Sequence, residues 1–352
     1  MIMAEILLSK SPALASIPNY HSVQEHFSSL IDAATNFNIA TGFITNDSIA
    51  TLQQIVEYKK EGMTLNLFIG MNYIEGFTKI QYKAVESLNT YLTSKGLGNI
   101  YLSPKALYHG KMYSFYKESK CLGSFIGSSN LGSFVGRDPS YIEADAFFNG
   151  NDGTCIDNRI RQIIDSIGVK LNDVPQISKF KDPEVRLLDG YHYVDEVTQD
   201  QLSIIESSRT TLYADVQLKD TPKSNLNTYF GVGKVKEKYS PRGWYEVELI
   251  ISKNAAVAEI LPTDAPFTVV TNDGYKFKCE RQGDFFKNFR SCNDLKILGR
   301  WIKGRMENDG ALEIGKPVTQ DVLNSFGHSS IRFTKTTTID DDGREVWYMS
   351  FV

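Results

Sequence analysis

The sequence predicts an α/β domain followed by a mainly β domain, on three observations. Apolar runs of strand length alternate with amphipathic helical stretches up to about residue 170. Beyond that point strand-like runs predominate, and the turn signals Asn-Asp-Gly and Asp-Asp-Gly interrupt them. The length of 352 residues suits about two domains, each large enough for a core. We therefore expect a first domain over 1–172, a linker over 173–190 and a second domain over 191–352.

In the first domain, helices and strands are expected in regular succession. Helical periodicity covers HSVQEHFSSLIDAATNF, SIATLQQIVEYKKEG, FTKIQYKAVESLNTYLTSKG and CIDNRIRQIIDSIG. Strand patterns cover FNIATGFIT, MTLNLFIGM, NIYLSP, YLSPKALYHGKMYSFY, CLGSFIG and YIEADAFF. Three of these strands follow one another directly, which indicates a mixed sheet rather than a purely parallel one. The next segment, VKLNDVPQISKFKDPEV, has two prolines and little periodicity, as is typical of a linker.

The second domain is expected to be a β-barrel with few helices. Its strand patterns are WYEVELIIS, FTVVTNDGYKFKCE, SSIRFTKTTTI and EVWYMSFV. Short helical patterns occur around 294–302 and in VTQDVLNSFG. We expect the aromatic residues Phe285, Phe286 and Trp301 to pack in the core rather than to stack on bases. His192 and His328 have no partner at a metal-binding spacing and are interpreted as structural or surface residues.

Two short motifs carry the chemistry of the first domain. His109-Gly110-Lys111 lies within one strand pattern, so His109 and Lys111 are expected to share a face, and the run GSSN from Gly127 to Asn130 begins where the next strand pattern ends. A neutral imidazole can attack phosphorus near pH 7, and a lysine can bind non-bridging phosphate oxygens. Ser128 and Asn130 supply hydrogen-bond donors where negative charge develops. We therefore expect these side chains to surround one phosphodiester.

Glu143, in the strand pattern SYIEADAFF, could hold the imidazole in one tautomer, as the acid of a hydrolase triad does. Taken singly, an HxK pair is often a solvated strand face, and GSSN is often an ordinary turn. Their combination on neighbouring strands, with an acid on the next strand, favours a catalytic site.

Net charge, cysteine content and the length of apolar segments limit the possible functions further. The net charge is −4, yet from 221 to 306 the chain has 15 Lys and Arg against 9 Asp and Glu, a modest polyanion signal. The four cysteines form no CxxC pair, which argues against a structural zinc site or a disulfide scaffold. No stretch has the length of a transmembrane helix, and no basic region precedes the first apolar run. We expect a soluble cytoplasmic protein that does not bind a membrane.

The motifs resemble those of the phospholipase D superfamily, in which HxK is followed by GSxN. The seventh residue after the histidine, usually Asp there, is Tyr116 here. That departure resembles the nuclease branch, in which a Glu on the following strand supports the histidine; Glu143 is the first candidate and Asp145 the fallback. The whole chain resembles the NgoFVII-type restriction endonucleases, relatives of BfiI-like enzymes, which join a phospholipase-D-like nuclease domain to a B3-like DNA-binding pseudobarrel. The phrases SPRGWYEVELIIS, DLKILGRWIKGRM, GKPVTQDVLNSFGHSSIRF and EVWYMSF carry the resemblance of the second half.

The resemblance implies a two-step, metal-independent reaction through a phosphohistidine, with one histidine attacking phosphorus and another protonating the leaving oxygen. That chemistry needs two HxK sets, and this chain has one. We therefore expect a homodimer, formed through the first domain, with one composite active site. No intrinsic cofactor is expected.

The resemblance also implies two arms that read double-stranded DNA from the second domain. Arg and Lys suit guanine, and Asn and Gln suit adenine. The first predicted arm contributes Asn225, Asn227, Lys234, Lys236, Lys238 and Arg242. The second contributes Arg281, Gln282, Lys287, Asn288 and Arg290. For each of these residues alone, a solvated surface side chain is the simpler interpretation.

The favoured function is a sequence-specific DNA endonuclease, the cleavage subunit of a restriction system. The chain has no GxxxxGK[ST] motif, so any ATP dependence requires a separate helicase-like ATPase. Two alternatives stay open: a phosphodiesterase acting on a lipid or small diester, and a DNA-binding protein with an inactive nuclease domain. The Lys- and Asn-rich second half argues against the first, and the intact motifs argue against the second.

Overall fold

The computed structural model of the protein describes residues 4–9, 14, 16–17, 22–59, 63–135, 142–177, 179–221, 224, 226–227, 242–251 and 257–352. Its contacts divide the chain into two compact units, one made mainly of residues up to Pro183 and the other mainly of residues from Glu184 onward. The division falls inside the segment 173–190 that the sequence predicts as a linker. Leu187 and Leu188 of that segment are buried, so part of it packs into the second unit.

The strands of the first unit form one mixed sheet. Their bounds are β1 Ala4–Leu8, β2 Asn36–Thr41, β3 Thr64–Ile69, β4 Gly98–Leu102, β5 Met112–Lys117, β6 Lys120–Gly127, β7 Ala144–Asn149 and β8 Val169–Lys170. The sheet has the order β1-β7-β6-β5-β2-β3-β4-β8. β2, β3 and β4 pair in parallel, whereas the other neighbours pair antiparallel. The predicted mixed sheet is confirmed.

The helices of the first unit start where local sequence can satisfy their free N–H groups. Their bounds are α1 Val23–Ala33, α2 Asn46–Tyr58, α3 Asn72–Glu75, α4 Lys79–Ser94, α5 Leu131–Val135 and α6 Thr154–Ile167. Before α1, α2 and α4, the hydroxyl of Ser22, Thr45 or Thr78 accepts the backbone N–H three residues on, and that residue's side chain bonds back to the cap. Such capping boxes satisfy two donors at each helix start.

Helices cover both faces of this sheet. α6 buries Ile156 and Ile160 against a cluster that includes Ala40. α1 buries Phe27 against Phe37, with the ring centroids 5.7 Å apart. Ala40 and Phe37 are three residues apart in β2 and so point to opposite faces. The first unit is therefore the α/β layered domain that the sequence predicts.

The second unit is mainly β. Its strands are β9 Asp195–Glu196, β10 Arg209–Gln217, β11 Leu249–Ile250, β12 Phe267–Thr271, β13 Tyr275–Gln282, β14 Asn288–Ser291, β15 Ser330–Ile339 and β16 Glu345–Phe351. They form a curled half-barrel sheet in the order β10-β15-β16-β12-β13-β14-β11, with β9 paired to β13. The helices are α7 Gln199–Ser207, α8 Val257–Ile260, α9 Lys296–Asp309 and α10 Gln320–Phe326. Gly274 and Gly343 of the two predicted turns have φ of 88° and 75°, which suits glycine.

The core of the second unit contains a charged group among its aromatic residues. Lys303 is 1% exposed, donates to the Trp244 carbonyl at 2.8 Å and lies 3.9 Å from the centre of the Trp244 ring. Glu307, also 1% exposed, accepts from Trp244 Nε1 at 2.7 Å and from the Tyr245 hydroxyl at 2.8 Å. Burial lowers the pKa of Lys303 to about 7, although the charge of Glu307 opposes that shift. This arrangement makes the core sensitive to pH.

Three expectations about the second unit meet different outcomes. Trp301 is fully buried, which confirms its predicted place in the core. Phe285 and Phe286 were expected there too, but their side chains are 69% and 48% exposed, because both lie in the turn between β13 and β14. The predicted strand WYEVELIIS is reduced to the two residues of β11. No helix in the described ranges is long and apolar enough to cross a membrane.

Candidate active site

Three strand ends bring the predicted catalytic residues to one edge of the first sheet. β5 begins at Met112, directly after Lys111, and β6 ends at Gly127, directly before Ser128. The two strands are antiparallel, with Met112 opposite Ile126, and the Gly127 N–H donates to the Lys111 carbonyl at 3.2 Å. The end of one strand therefore lies beside the start of the other, as the sequence predicts.

Glu143 reaches the same edge from the third strand, because β7 begins at the next residue. The Ser128 N–H donates to the Ala144 carbonyl at 3.1 Å, which joins the GSSN segment to this strand. His109 and Lys111 differ from the expectation in one respect, since they precede β5 instead of belonging to a strand.

His109 and Lys111 form a close pair. Lys111 Nζ lies 3.2 Å from His109 Nε2 and donates to the His109 carbonyl at 2.7 Å. A lysine ammonium has no lone pair, so Nε2 is the acceptor and Nδ1 carries the ring proton. The imidazole is exposed, whereas Lys111 is only 7% exposed. The pair therefore presents an exposed ring whose Nε2 lone pair accepts from a buried cation.

The charge of Lys111 depends on its surroundings. Burial lowers the pKa of Lys111, and the negative charges of Glu143 and then Asp145 raise it. These two carboxylates oppose the effect of burial on the Lys111 pKa. They are therefore part of the site's electrostatics, even where they do not touch the imidazole.

Two residues just after β2 contact His109, which the sequence did not predict. The Phe43 ring meets the His109 ring edge-on, at 5.7 Å between centroids and 76° between planes. Gly42 lies so close that a Cβ there would be 3.1 Å from His109 Cδ2. A larger residue at this position would push the imidazole aside. The contact links segments 66 residues apart in sequence, and no local motif marks it.

Asn130 is oriented by the same segment. Its carboxamide oxygen accepts the Phe43 N–H at 3.2 Å and the Thr41 hydroxyl at 3.4 Å. Since a backbone N–H can only donate, the oxygen must be the atom on this side, and the NH₂ group points away from it. Asn130 is thus set to act as a donor, which is the role the sequence assigns to it.

Ser128 and Glu143 are joined to each other. The Ser128 hydroxyl donates to the Glu143 carboxylate, and the Glu143 N–H donates to Ser9 Oγ at 2.9 Å. Within the described residues, Glu143 therefore supports Ser128 rather than His109. Its predicted support of the imidazole stays a prediction.

Asp145 organises the middle of the GSSN segment. It is 1% exposed and accepts both the N–H of Ser129, at 3.3 Å, and its hydroxyl, at 2.5 Å. Burial raises the pKa of Asp145, and the two bonds from Ser129 oppose that shift. The Tyr113 hydroxyl donates to the Ser129 carbonyl at 2.8 Å from the other side. Ser129 is held at both ends, so its neighbours Ser128 and Asn130 are held as well.

The predicted DNA-contacting residues of the second unit fall into three groups. Four lie outside the described residues: Asn225, Lys234, Lys236 and Lys238. Five are exposed or partly exposed: Arg242, Gln282, Lys287, Asn288 and Arg290. The remaining two are buried, Asn227 and Arg281.

The two buried residues require a correction, since both hold the fold together. Asn227 is fully buried, and its amide bonds the N–H and carbonyl of Val318, each at 2.8 Å. Arg281 is 5% exposed and, in the part of the chain that the structure describes, donates to the backbone carbonyls of Phe286, Ala258 and Leu261. The sequence shows their hydrogen-bonding capacity but not that the backbone uses it.

Arg290 and Arg242 are both held by acids. Glu248, whose side chain is 6% exposed, pairs with Arg242 at 2.8 Å and with Arg290 at 3.4 Å. Arg290 also pairs with Glu280 at 3.0 Å. The acids fix the orientation of both guanidinium groups. A phosphate or base that binds here would either replace a carboxylate or use an N–H group that the carboxylates leave free.

Comparison with known proteins assigns each half of the chain. Residues 21–176 match the model of the NgoFVII restriction endonuclease N-terminal PLD domain, and residues 197–337 match that of the NgoFVII C-terminal B3-like DNA-binding domain. No curated protein gives a significant match.

Two solved structures resemble parts of the chain. Nuc from Salmonella typhimurium, a phospholipase D family member, is 16% identical, with a TM-score of 0.32 over 48% of this chain and 98% of that one. The archaeal chromatin protein TrmBL2 is 10% identical, with a TM-score of 0.30 over 46% of this chain and 52% of that one.

The two family models follow one another in the order of a single enzyme and together match most of the chain. The first model spans His109, Lys111, Ser128, Asn130 and Glu143, which the structure gathers at one sheet edge. The second spans the half-barrel unit, with its exposed cations. The chain belongs to the NgoFVII restriction endonuclease family and is a phospholipase-D-superfamily nuclease that acts on double-stranded DNA.

Proposed function

We propose that the protein is the cleavage subunit of a restriction system, which cuts double-stranded DNA at a specific sequence through a phosphohistidine. The observation that carries the proposal is the exposed imidazole of His109, with Lys111 Nζ 3.2 Å from its Nε2. Asn130 lies at the same sheet edge, where its NH₂ group can donate to a phosphate oxygen, and Ser128 lies beside it with its hydroxyl donating to Glu143. The half-barrel unit would select the sequence.

The first chemical step needs the Nε2 lone pair. An incoming phosphate would take over the N–H groups of Lys111, which frees Nε2 to attack phosphorus. A P–N bond forms and the P–O bond to the leaving nucleotide breaks. A second, protonated imidazole gives its proton to the leaving oxygen. In the second step, water attacks phosphorus, its proton goes to that same imidazole, and the P–N bond breaks.

Both imidazoles would be His109, one from each of two copies of the chain. The sequence has a single HxK, because none of the other four histidines has a Lys two residues later. A twofold axis through the shared phosphate would bring two identical edges together. Such a dimer has one active centre, so it would cut the two strands of a duplex in turn.

The proposed reaction uses no metal, and ATP would enter only through a separate helicase-like ATPase. Each charge that the reaction develops has a protein group to meet it. Lys111 and Asn130 face the phosphate, and the second imidazole supplies the proton. We also propose that the protein acts in the cytoplasm, where its DNA substrate would be found.

Cleavage of a long duplex in EDTA tests the proposal. Wild-type protein is incubated with phage-length DNA in EDTA, and in a parallel reaction with an ATPase-containing extract, ATP and the Mg²⁺ that ATP hydrolysis requires. We expect discrete fragments from the wild type, and a loss of about 1000-fold or more in His109→Ala. His109→Ala should keep its melting temperature because the ring is exposed. His192→Ala removes an exposed histidine of the other unit and is the matched control.

Mixing tests the composite site. Wild type and His109→Ala are co-expressed in equal amounts, so that dimers form at random. If one centre needs both imidazoles, about a quarter of the wild-type activity per dimer remains, against about half if each copy works alone. Complete inhibition by EDTA of a cleavage that needs no nucleotide, or hydrolysis of small diesters with no action on DNA, would contradict the proposed function.

A further inference from the structure

The turn between β13 and β14 exposes two neighbouring aromatic rings. Phe285 is 69% exposed and Phe286 is 48% exposed, the former being the most exposed phenylalanine among the described residues. Phenylalanine normally buries its ring, since the apolar surface is costly to hydrate. Two adjacent rings exposed to this degree leave apolar surface available for a binding partner.

The backbone of the same turn is strained. Phe285 and Phe286 have φ of 59° and 52°, in the left-handed region that favours glycine, and Gly283 before them has φ of 74°. Residues with a Cβ rarely adopt this conformation and persist in it when the surrounding structure enforces it. Strain of this kind is commonly found at functional positions.

Hydrogen bonds from Arg281 hold the turn in this conformation. Its guanidinium donates to the Phe286 carbonyl at 2.8 Å, to the Ala258 carbonyl at 2.7 Å and to the Leu261 carbonyl at 3.0 Å. The Phe286 N–H closes the turn on the Gly283 carbonyl at 3.0 Å. The rings are thus presented on a rigid support, so little conformational entropy would be lost when they bind.

The polar surroundings indicate what the rings bind. Gln282 is exposed, Lys287 has a side chain that is 46% exposed, and Arg290 one that is 27% exposed. These groups suit phosphates and base edges, and the turn lies inside the segment matched by the B3-like DNA-binding model. The exposed carboxylate of Asp284 lies 3.9 Å from Lys287, so a phosphate would have to replace it there. An apolar tip beside Lys287 and Arg290 fits a duplex, in which phosphates flank flat apolar base faces.

We propose that Phe285 and Phe286 form an apolar wedge that packs against the base faces of an opened base step when the half-barrel unit binds duplex DNA. Proteins insert apolar side chains in this way to unstack and kink a duplex, which adds contact area and makes binding depend on how easily the step deforms. The inference rests on the proposed DNA-binding function. It assigns the two rings to base unstacking, whereas the neighbouring cations bind phosphates.

The test uses the full-length chain and a duplex that the wild type selects from a random-sequence pool. Copies of that duplex carry 2-aminopurine at successive positions, since its fluorescence rises when a base unstacks. We expect a rise at one step with the wild type and none with Phe285→Gly/Phe286→Gly. The variant should bind about 10- to 100-fold more weakly with an unchanged salt slope, because stacking is lost and phosphate contacts are kept.

Stability separates function from folding. Glycine relieves the left-handed backbone, so the double variant should melt at the same temperature as the wild type or higher, while its DNA binding falls. Ile204→Ala, which removes another exposed apolar side chain of the same unit, should change neither property.

Three outcomes would overturn the wedge. If the wild type retains and cuts the duplex and the variant gives the same fluorescence and affinity, the rings do not contact bases, although the nuclease function stands. If only ATPase-dependent cleavage is lost, the rings bind a protein. If the wild type retains no duplex at all, the DNA-binding function fails and the wedge with it.

Discussion

At the residue scale, the role of each catalytic group depends on which of its atoms is already bonded. The oxygen of Asn130 is held by Thr41 and Phe43, so its NH₂ group is the part that can meet a phosphate. The Nε2 of His109 accepts from Lys111 and therefore carries a lone pair. Side-chain chemistry predicts which residues take part. It does not predict the bonds to the Asn130 oxygen, since Thr41 and Phe43 are distant from Asn130 in sequence.

Glu143→Gln should narrow the pH range of cleavage on the alkaline side. Burial lowers the pKa of Lys111 and the charge of Glu143 raises it, so removing that charge lowers the Lys111 pKa further. If Lys111 must be protonated to bind phosphate, activity should be lost at a lower pH than in the wild type. Cleavage rates between pH 7 and pH 10 measure this.

Glu86→Gln, which removes an exposed carboxylate on α4, is the control for that experiment and should leave the alkaline limb in place. An alkaline limb that stays fixed or moves upward in Glu143→Gln would contradict the electrostatic role of Glu143.

At the element scale, the candidate site lies where β5 and β7 begin and β6 ends. β5 was predicted to begin well before His109, but Pro104 has no N–H for a ladder, and Ser103 turns the chain by donating to the Ala106 carbonyl at 2.5 Å. The strand starts at Met112, after the motif. The order of elements was predictable from periodicity, whereas this boundary depends on a turn inside an apparently continuous strand pattern.

Asp145→Asn should weaken both the fold and the reaction. The carboxylate accepts two bonds from Ser129, and an amide can accept only through its oxygen. Loss of a charged buried acceptor should reduce the free energy of unfolding by about 1–3 kcal/mol. The cleavage rate should fall as well, since Ser128 and Asn130 flank Ser129.

Chemical denaturation and cleavage assays check both effects of Asp145→Asn. Asp165→Asn changes an exposed acid on α6 and should affect neither quantity. Unchanged cleavage in a destabilised Asp145→Asn would show that the GSSN segment does not need this anchor.

At the scale of the whole molecule, the change from alternating helices and strands to mainly strands gives the two-unit architecture correctly. The placement of aromatic residues was predictable only in part. Trp301 lies on α9, where it is buried, whereas Phe285 follows Gly283 into a turn that exposes it. The hydrophobicity of a side chain predicts that it tends to be buried, but it does not predict the direction of the backbone. At Phe285 the left-handed turn directs the ring outward.

The second unit should become more stable above neutral pH because of Lys303. Its pKa is about 7 in the folded chain, against 10.5 as the ordinary value, so between these values the unfolded chain binds a proton that the folded chain does not. The contribution of Lys303 to the free energy of unfolding is therefore most favourable above pH 10.5, and it declines as the pH falls toward 7. Relative to Lys303→Met, the wild type should gain about 2 kcal/mol between pH 7 and pH 9.

Tryptophan fluorescence during denaturation measures this change, since all three tryptophans of the chain lie in the second unit. Lys219→Met, at an exposed lysine, controls for the general effect of removing a positive charge. A stability difference between wild type and Lys303→Met that does not vary with pH would show that Lys303 keeps its charge in the core.

The short first strand has a practical consequence. β1 pairs along β7, and Ser9, just after β1, accepts the N–H of Glu143 and donates to its carbonyl. The backbone of Glu143, a residue of the candidate site, is thus anchored by a segment more than a hundred positions away. If Glu143 takes part in the proposed reaction, a protease that trims the first ten residues would remove this anchor and lower cleavage, while the second unit stays intact. Affinity tags for purification accordingly belong at the other terminus.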